Sequence, residues 1–64
     1  MTAAQLRLRE LRARHRWSVR ELARRAGVRP ATVTALELGH HSPKLETLEK
    51  LAKALRVPVA RLLP

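Results

Sequence analysis

Apolar residues recur at helical spacing through most of the chain, and turn-forming residues divide them into five short segments. The spacing of Leu8 and Leu11 predicts an amphipathic helix 1 over residues 3–15. Ser18 is expected to cap helix 2 by accepting a hydrogen bond from the amide of Glu21. The Glu21 carboxylate is expected to reach back to the Ser18 amide, which would complete a reciprocal cap.

Three further helices follow from the same kind of signal. Gly27 predicts the end of helix 2, because glycine readily takes the left-handed conformation that stops a helix. Pro30 predicts the first turn of helix 3, which spans residues 30–38. Leucines at helical spacing predict helix 4 over residues 45–55, and Pro58 is expected to open a short helix 5.

Length and composition limit this helical pattern to one small domain. A chain of 64 residues can build a single core, so we expect residues 1–64 to form one compact, all-α, five-helix domain. The sequence has no cysteine, which excludes disulfides and thiolate metal sites. No apolar run approaches the roughly 20 residues that span a bilayer. We therefore expect a soluble, cytoplasmic protein that has no membrane partner.

The net charge adds a candidate partner. The chain carries a formal charge of +9 at pH 7, and an excess of cations on a small domain attracts polyanions. Residues 1–32 hold nine arginines and two glutamates, a net +7, whereas residues 33–64 hold five cations and three glutamates, a net +2. Nucleic acid is therefore the partner that the charge favours, and the positive field is concentrated in the first half of the chain. A solvated arginine-rich surface from a biased genome composition is the open alternative.

The predicted helices 2 and 3 carry the pattern of a helix-turn-helix. Three residues join them, so they must cross steeply, and Ala23 is small enough for a close approach. Residues 48–57 also read L-x-x-L-A-x-A-L-x-V. Over residues 6–63 the chain resembles the Cro and lambda-repressor-like family, also called the xenobiotic-response-element family. The resemblance implies a five-helix fold in which helix 3 is the recognition helix. It rests on the set Leu22, Ala23, Ala26, Gly27, Val28, Val33 and Leu36.

The resemblance also implies which residues touch DNA. Family members read bases from the positions of Ala31, Thr32 and Ala35, and helical geometry adds Thr34 to this face. These side chains are small, so methyl contacts to thymine and threonine hydrogen bonds favour A·T-containing steps. The family commonly has glutamine at the position of Val19, and its side chain bonds a phosphate. With valine there, only the backbone amide is left for this phosphate contact. The expected phosphate contacts are Ser18, Val19, Arg20, Arg29, His40, His41 and Lys44.

Two structural roles follow from the same family positions. Arg12 and Glu37 match residues that can form an ion pair between helix 1 and the recognition helix, although two exposed and unpaired side chains are the alternative. Family members usually bind palindromic operators as dimers, so a homodimeric repressor is expected. The candidate dimer patch is Val57, Val59, Leu62 and Leu63, and the alternative is that these residues close the core.

Other chemistry finds little support in the sequence. Adjacent His40 and His41 diverge in direction, and His15 is the one further histidine, so no metal site is expected. With no Asp, no Cys and no glycine-rich phosphate loop, we expect no catalytic residues, no cofactor and no small-molecule substrate. The competing function is a protein-interaction module, such as an antitoxin or a transcriptional adapter. The uncharged face formed by Ala31, Ala35 and Leu38 would meet its protein partner.

Overall fold

Four α-helices and one 3-10 turn make up the computed structural model, which describes residues 7–40 and 42–63. The described residues contain no strand, so the prediction of an all-α domain is confirmed there. None of these helices is long and apolar enough to cross a membrane within the described ranges. In chain order the elements are α1 (Leu8–Arg14), α2 (Val19–Ala26), α3 (Pro30–Glu37), α4 (Leu45–Leu55) and the C-terminal turn (Val59–Leu62).

The prediction of a fifth α-helix is wrong. The segment after Pro58 is a single 3-10 turn of four residues, in which the Arg61 amide donates to the Pro58 carbonyl at 2.9 Å. Pro58 and Leu63 both have extended backbones, with ψ of 153° and 146°. Because the chain is extended on both sides, the segment is too short to build a ladder of i to i+4 hydrogen bonds.

The other helices begin and end close to their predicted bounds. Helix α1 ends at Arg14, one residue before the expected end, and the start expected near residue 3 lies outside the described residues. Helix α3 ends at Glu37, and Gly39 follows in the left-handed conformation with φ of 75°. The Arg7 amide donates to the Leu62 carbonyl at 2.9 Å, which joins the start of α1 to the C-terminal turn.

The cap of α2 forms in one direction only. Ser18 Oγ accepts the Glu21 amide at 3.0 Å, as expected, and Gly27 ends the helix at φ of 74°. The Glu21 carboxylate does not complete the reciprocal cap, because it binds the guanidinium groups of Arg24 and Arg25 in the following turn. Hydrogen bonds from Arg24, and then from Arg25, lower the pKa of Glu21.

The core consists of small and branched aliphatic side chains from every element. Helix α2 packs on both α3 and α4, α1 contacts α3, and the C-terminal turn packs on α4. No polar or charged residue is buried among the described residues, so packing and helix caps stabilise the fold. The buried residues are Leu8, Leu11, Leu22, Ala23, Val33, Leu36, Leu48, Leu51, Ala52, Leu55 and Leu62.

Two arginines stand at positions where glycine is usual. Arg16 follows α1 and Arg56 ends α4, and both have φ of 59°. The left-handed region brings Cβ close to the backbone and costs a non-glycine residue about 1–2 kcal/mol. Replacement of Arg56 can therefore separate the cost of this backbone conformation from the contribution of the side chain.

We predict that Arg56→Gly is more stable than Arg56→Ala by about 0.5–1 kcal/mol. Both variants remove the same side chain, and only glycine takes the left-handed conformation without strain, while its freer unfolded chain offsets part of the gain. Urea unfolding gives the difference. Lys53 lies inside α4 and is the control, since there the order should reverse by about 1 kcal/mol. The same order at both positions would contradict the strain at Arg56.

Candidate nucleic-acid interface

The turn between α2 and α3 is tight because glycine and alanine stand at its two critical points. The Val28 amide donates to the Ala23 carbonyl at 3.0 Å across Gly27, which closes the end of α2. A Cβ on Gly27 would meet nothing within 4 Å, so its positive φ, and not crowding, favours glycine here. Ala23 is 1% exposed, consistent with the close packing of α2 and α3. The turn fixes where α3 begins.

Helix α3 has one face in the core and one face in solvent. Val33 and Leu36 are buried, whereas Ala31 and Thr34 are exposed. The other two residues predicted to touch bases, Thr32 and Ala35, are half-buried at the margins of this face. The exposed side of α3 is therefore narrow, uncharged and covered by small side chains.

A groove of about 370 Å³ separates the first half of α3 from the start of α4. It brings Ala31 and Thr32, predicted to contact bases, beside Lys44, predicted to contact phosphate. Sequence reasoning missed Thr47, whose position in the first turn of α4 was the available signal. The residues that line the groove are Ala31, Thr32, Leu36, Ser42, Pro43, Lys44 and Thr47.

A second groove, of about 350 Å³, lies between the start of α2 and the start of α3. It brings the predicted phosphate residues Ser18 and Arg20 beside Pro30. Val19 is half-buried and packs against the core, which fits a role for its backbone and not its side chain. Sequence reasoning missed Arg24, which also lines this groove and binds Glu21.

Ion pairing leaves cations free beside both grooves. Arg20, Arg29 and Lys44 are exposed, and none has a carboxylate within 4.0 Å in the described part of the chain. His40 is also exposed, whereas His41 lies outside the described residues. The cations that do have carboxylate partners are Arg7, Arg12, Arg24, Arg25 and Lys50.

A two-point ion pair holds the end of α3 against α1. Arg12 Nε donates to Glu37 Oε2 at 2.8 Å, and the Arg12 Nη2 donates to Glu37 Oε1 at 3.0 Å. The third nitrogen of the same guanidinium, Nη1, donates to the Trp17 carbonyl at 3.0 Å. The side chains of Arg12 and Glu37 are only 18% and 9% exposed. The hydrogen bond to Glu37 raises the pKa of Arg12 further above its already high value.

The C-terminal segment is less exposed to solvent than the predicted dimer patch requires. Leu62 is fully buried, so its inclusion in an exposed patch is wrong, because the 3-10 turn directs it into the core. Val57 and Val59 are half-buried against the same core. Leu63 remains 46% exposed. The segment closes the core and leaves one leucine and two valine edges at the surface.

Comparison with known proteins identifies the fold. A family model described as "Helix-turn-helix" matches residues 8–62. The chain belongs to the Cro and lambda-repressor-like helix-turn-helix family. The match spans every element from α1 to the C-terminal turn, so the family assignment rests on the whole fold and not on the α2–α3 unit alone.

Its curated relatives are named as transcriptional regulators. The chain is 47% identical over 55 residues to the cryptic phage CTXphi transcriptional repressor RstR of Vibrio cholerae, covering 86% of this chain and 50% of that protein. It is 40% identical over 57 residues to an uncharacterized HTH-type transcriptional regulator, RghRB, of Bacillus subtilis, covering 88% and 41%. The chain thus spans about half the length, or less, of these two relatives.

A solved structure has a similar fold. The crystal structure of the hypothetical transcription factor NHTF from Neisseria superposes with a TM-score of 0.83 at 38% sequence identity. The superposition covers 89% of this chain and 65% of that one. The path of the described elements is therefore that of a helix-turn-helix protein of this family.

We predict that Arg12→Met lowers the free energy of unfolding by about 2 kcal/mol, because Glu37 would keep a nearly buried charge without a partner. The loss should fall below the 3–5 kcal/mol typical of fully buried pairs, since Arg12 is partly exposed. Removing both charges in Arg12→Met with Glu37→Leu should cost less than Arg12→Met alone. Thermal and urea unfolding measure both variants.

Arg7 provides the matched control, because it pairs with Glu10 at the surface of the same helix. Arg7→Met should change stability little, since exposed ion pairs contribute little in water. Equal effects of Arg7→Met and Arg12→Met would show that the pair with Glu37 does not hold α3 in place.

Proposed function

We propose that this chain binds duplex DNA through α2, the turn and α3, and that it regulates transcription as a repressor. One observation carries the proposal: the first turn of α3 is bordered by two grooves, and each contains an exposed cation without a carboxylate partner. Lys44 lines one groove and Arg20 lines the other. An uncharged helix with cations on both sides suits a major groove whose two walls are phosphate backbones.

The proposed base contacts are Ala31, Thr32, Thr34 and Ala35. Because none of these side chains is long, the backbone of α3 can approach the floor of the major groove closely. Threonine hydroxyls can bond to either base type, and alanine and threonine methyl groups can pack on the methyl group of thymine. We infer a preference for A·T-containing steps, set by methyl contacts and shape more than by two-point hydrogen bonds.

The proposed phosphate contacts combine backbone amides with side-chain cations. The amides of Val19 and Arg20 lie in the first turn of α2, where no intrahelical acceptor exists for them. Arg29 is the N-cap of α3, and its side chain forms no cap hydrogen bond, so the guanidinium can reach a phosphate. Ser18, Arg20, His40, His41 and Lys44 complete the proposed set. Each neutralised phosphate adds about 0.9 to the salt dependence of log K.

The small number of base pairs that one recognition helix can contact favours a dimer. Helix α3 has eight residues, so it is roughly 12 Å long and spans only about four base pairs. Two copies related by a two-fold axis would double this site and bind a palindrome. The proposed contact between copies is the surface formed by Leu63 with the exposed edges of Val57 and Val59.

Selection from a random duplex pool at about 0.15 M salt tests this function directly. We expect an enriched palindrome whose half-sites are about one helical turn apart and contain A·T pairs. Enrichment of a single half-site would support sequence-specific DNA recognition and contradict the proposed dimer. Binding without any enrichment would contradict sequence-specific regulation.

We predict that Arg29→Glu weakens DNA binding at least tenfold and lowers the salt slope by about 1 for each bound subunit, because one phosphate contact is lost. Fluorescence anisotropy at several salt concentrations measures both quantities. Lys53→Glu is the control, since it changes the net charge equally at an exposed position of α4 that lines neither groove and lies outside the proposed contact between copies. Similar losses in the two variants would mean that net charge, and not the proposed interface, governs affinity.

The exposure of Leu38 favours the second candidate, a protein-interaction module. Leu38 caps the C-terminus of α3 and is 55% exposed, so it extends the uncharged exposed face of that helix, on which a protein partner would pack. The same anisotropy assay separates the two functions. Under the DNA proposal, Leu38→Glu should reduce affinity less than Arg29→Glu does. If neither the parent chain nor Leu38→Glu binds DNA, the protein-interaction function takes its place.

A further inference from the structure

Trp17 organises a cluster on the surface that joins α1, α2 and α4. The His15 ring stacks on the Trp17 ring with centroids 4.2 Å apart and an interplanar angle of 17°. The Arg25 guanidinium lies 4.4 Å from the centroid of the same ring. Trp17 is half-buried and packs against the core. Trp17 thus contacts the core on one side and the side chains of His15 and Arg25 on the other parts of its ring.

These side chains line a pocket of about 370 Å³ that the proposed DNA interface does not use. The pocket lies between the end of α1, the second half of α2 and the end of α4. Its lining residues extend from His15 to Arg56 in the sequence. Its volume lies in the range of small-molecule sites. The lining residues are His15, Trp17, Arg25, Ala54 and Arg56, and none of them is acidic.

The donors of the pocket are only partly satisfied within the protein. Arg25 donates through Nε to Glu21 at 2.6 Å, and its two terminal nitrogens form no hydrogen bond within residues 7–40 and 42–63. The Arg56 side chain forms neither an ion pair nor a hydrogen bond with any described residue. Two guanidinium groups therefore line one pocket with donors left over.

The negative end of α4 does not cancel this positive character. A helix C-terminus carries partial negative charge on its last carbonyls. Here the amides of Arg56 and Val57 donate to the carbonyls of Lys53 and Ala52, at 3.2 and 3.0 Å. His15 Nε2 lies 3.2 Å from the Leu55 carbonyl and can donate to it. Three of the last carbonyls of α4, those of Ala52, Lys53 and Leu55, thus have donors within the protein.

We propose that this pocket binds a small phosphate-bearing anion. Guanidinium groups donate two parallel hydrogen bonds to phosphate oxygens. Arg56 has no carboxylate partner among the described residues, and Arg25 uses only its Nε on Glu21, so both arginines have donors available for an anion. The His15 ring and the Arg25 guanidinium are already packed on the indole ring, and the available donors are guanidinium groups, so the phosphate is the group that the pocket would recognise. The anion would contact residues of α2 and residues at the ends of α1 and α4, none of which is a proposed DNA contact. Such a ligand differs from the sequence-based expectation that the chain has no small-molecule substrate.

Fluorescence of Trp17 tests the site directly, because the chain has one tryptophan and no tyrosine or phenylalanine. The probe is inorganic pyrophosphate, titrated at constant ionic strength against sodium chloride. We expect a saturable change in the parent chain and at least tenfold weaker binding in Arg56→Gln, which loses charged hydrogen bonds. Lys53→Gln removes one charge from the last turn of the same helix and should stay within twofold.

Three results would overturn the proposal. The first is no saturable change, or a change that chloride reproduces. The second is equal weakening in Arg56→Gln and Lys53→Gln, which would indicate general charge screening. The third is an Arg56-dependent change with duplex DNA but none with pyrophosphate, which would assign the pocket to the DNA backbone. If circular dichroism shows that Arg56→Gln is unfolded, Arg25→Gln replaces it in every comparison.

Discussion

The position of α3 depends on two constraints of different kinds, and the directional one is the pair between Arg12 and Glu37. At the start of α3, the left-handed Gly27 sets the turn after α2. At its end, two parallel hydrogen bonds tie Glu37 to α1. The core between them is entirely aliphatic, and aliphatic contacts are non-directional. Burial of Val33 and Leu36 sets which face of α3 is exposed, and a small domain that buries about 60% of its surface has few other directional contacts to hold the helix end in place.

Within the described residues, the five glutamates form no ion pair with the arginines and the lysine proposed to bind phosphate. Four of them pair with cations, namely Glu10, Glu21, Glu37 and Glu46. Arg20, Arg29 and Lys44 have no such partner in the part of the chain that the structure describes. Six further exposed cations also lack a carboxylate partner there, namely Arg9, Arg14, Arg16, Lys53, Arg56 and Arg61. The positive charge beside α3 is therefore one part of a wider positive surface.

Local signals predicted most of the fold, and signals that depend on tertiary contacts were missed. The bounds of α2 and α3 follow from Ser18, Gly27, Pro30 and Gly39, which act within a few positions. Helix α4 ends at Leu55 without such a signal, and its extent followed from the spacing of its leucines. Periodicity cannot distinguish one 3-10 turn from a short α-helix, so the segment after Pro58 was misassigned. The burial of Leu62 and the pocket around Trp17 both depend on residues from distant parts of the sequence. The exposed face of α3 was predictable because it follows from Val33 and Leu36 alone.

The hydrogen bond from the Arg7 amide to the Leu62 carbonyl brings the two ends of the described chain side by side. A domain whose ends meet can be spliced into a surface loop of another protein without pulling that host apart, and a short peptide could join its ends into a circle. Any segment attached at either end would also emerge from one place on the surface. The geometry of its ends therefore suits the fold to being attached to another protein, or inserted into one, without rearrangement of its helices.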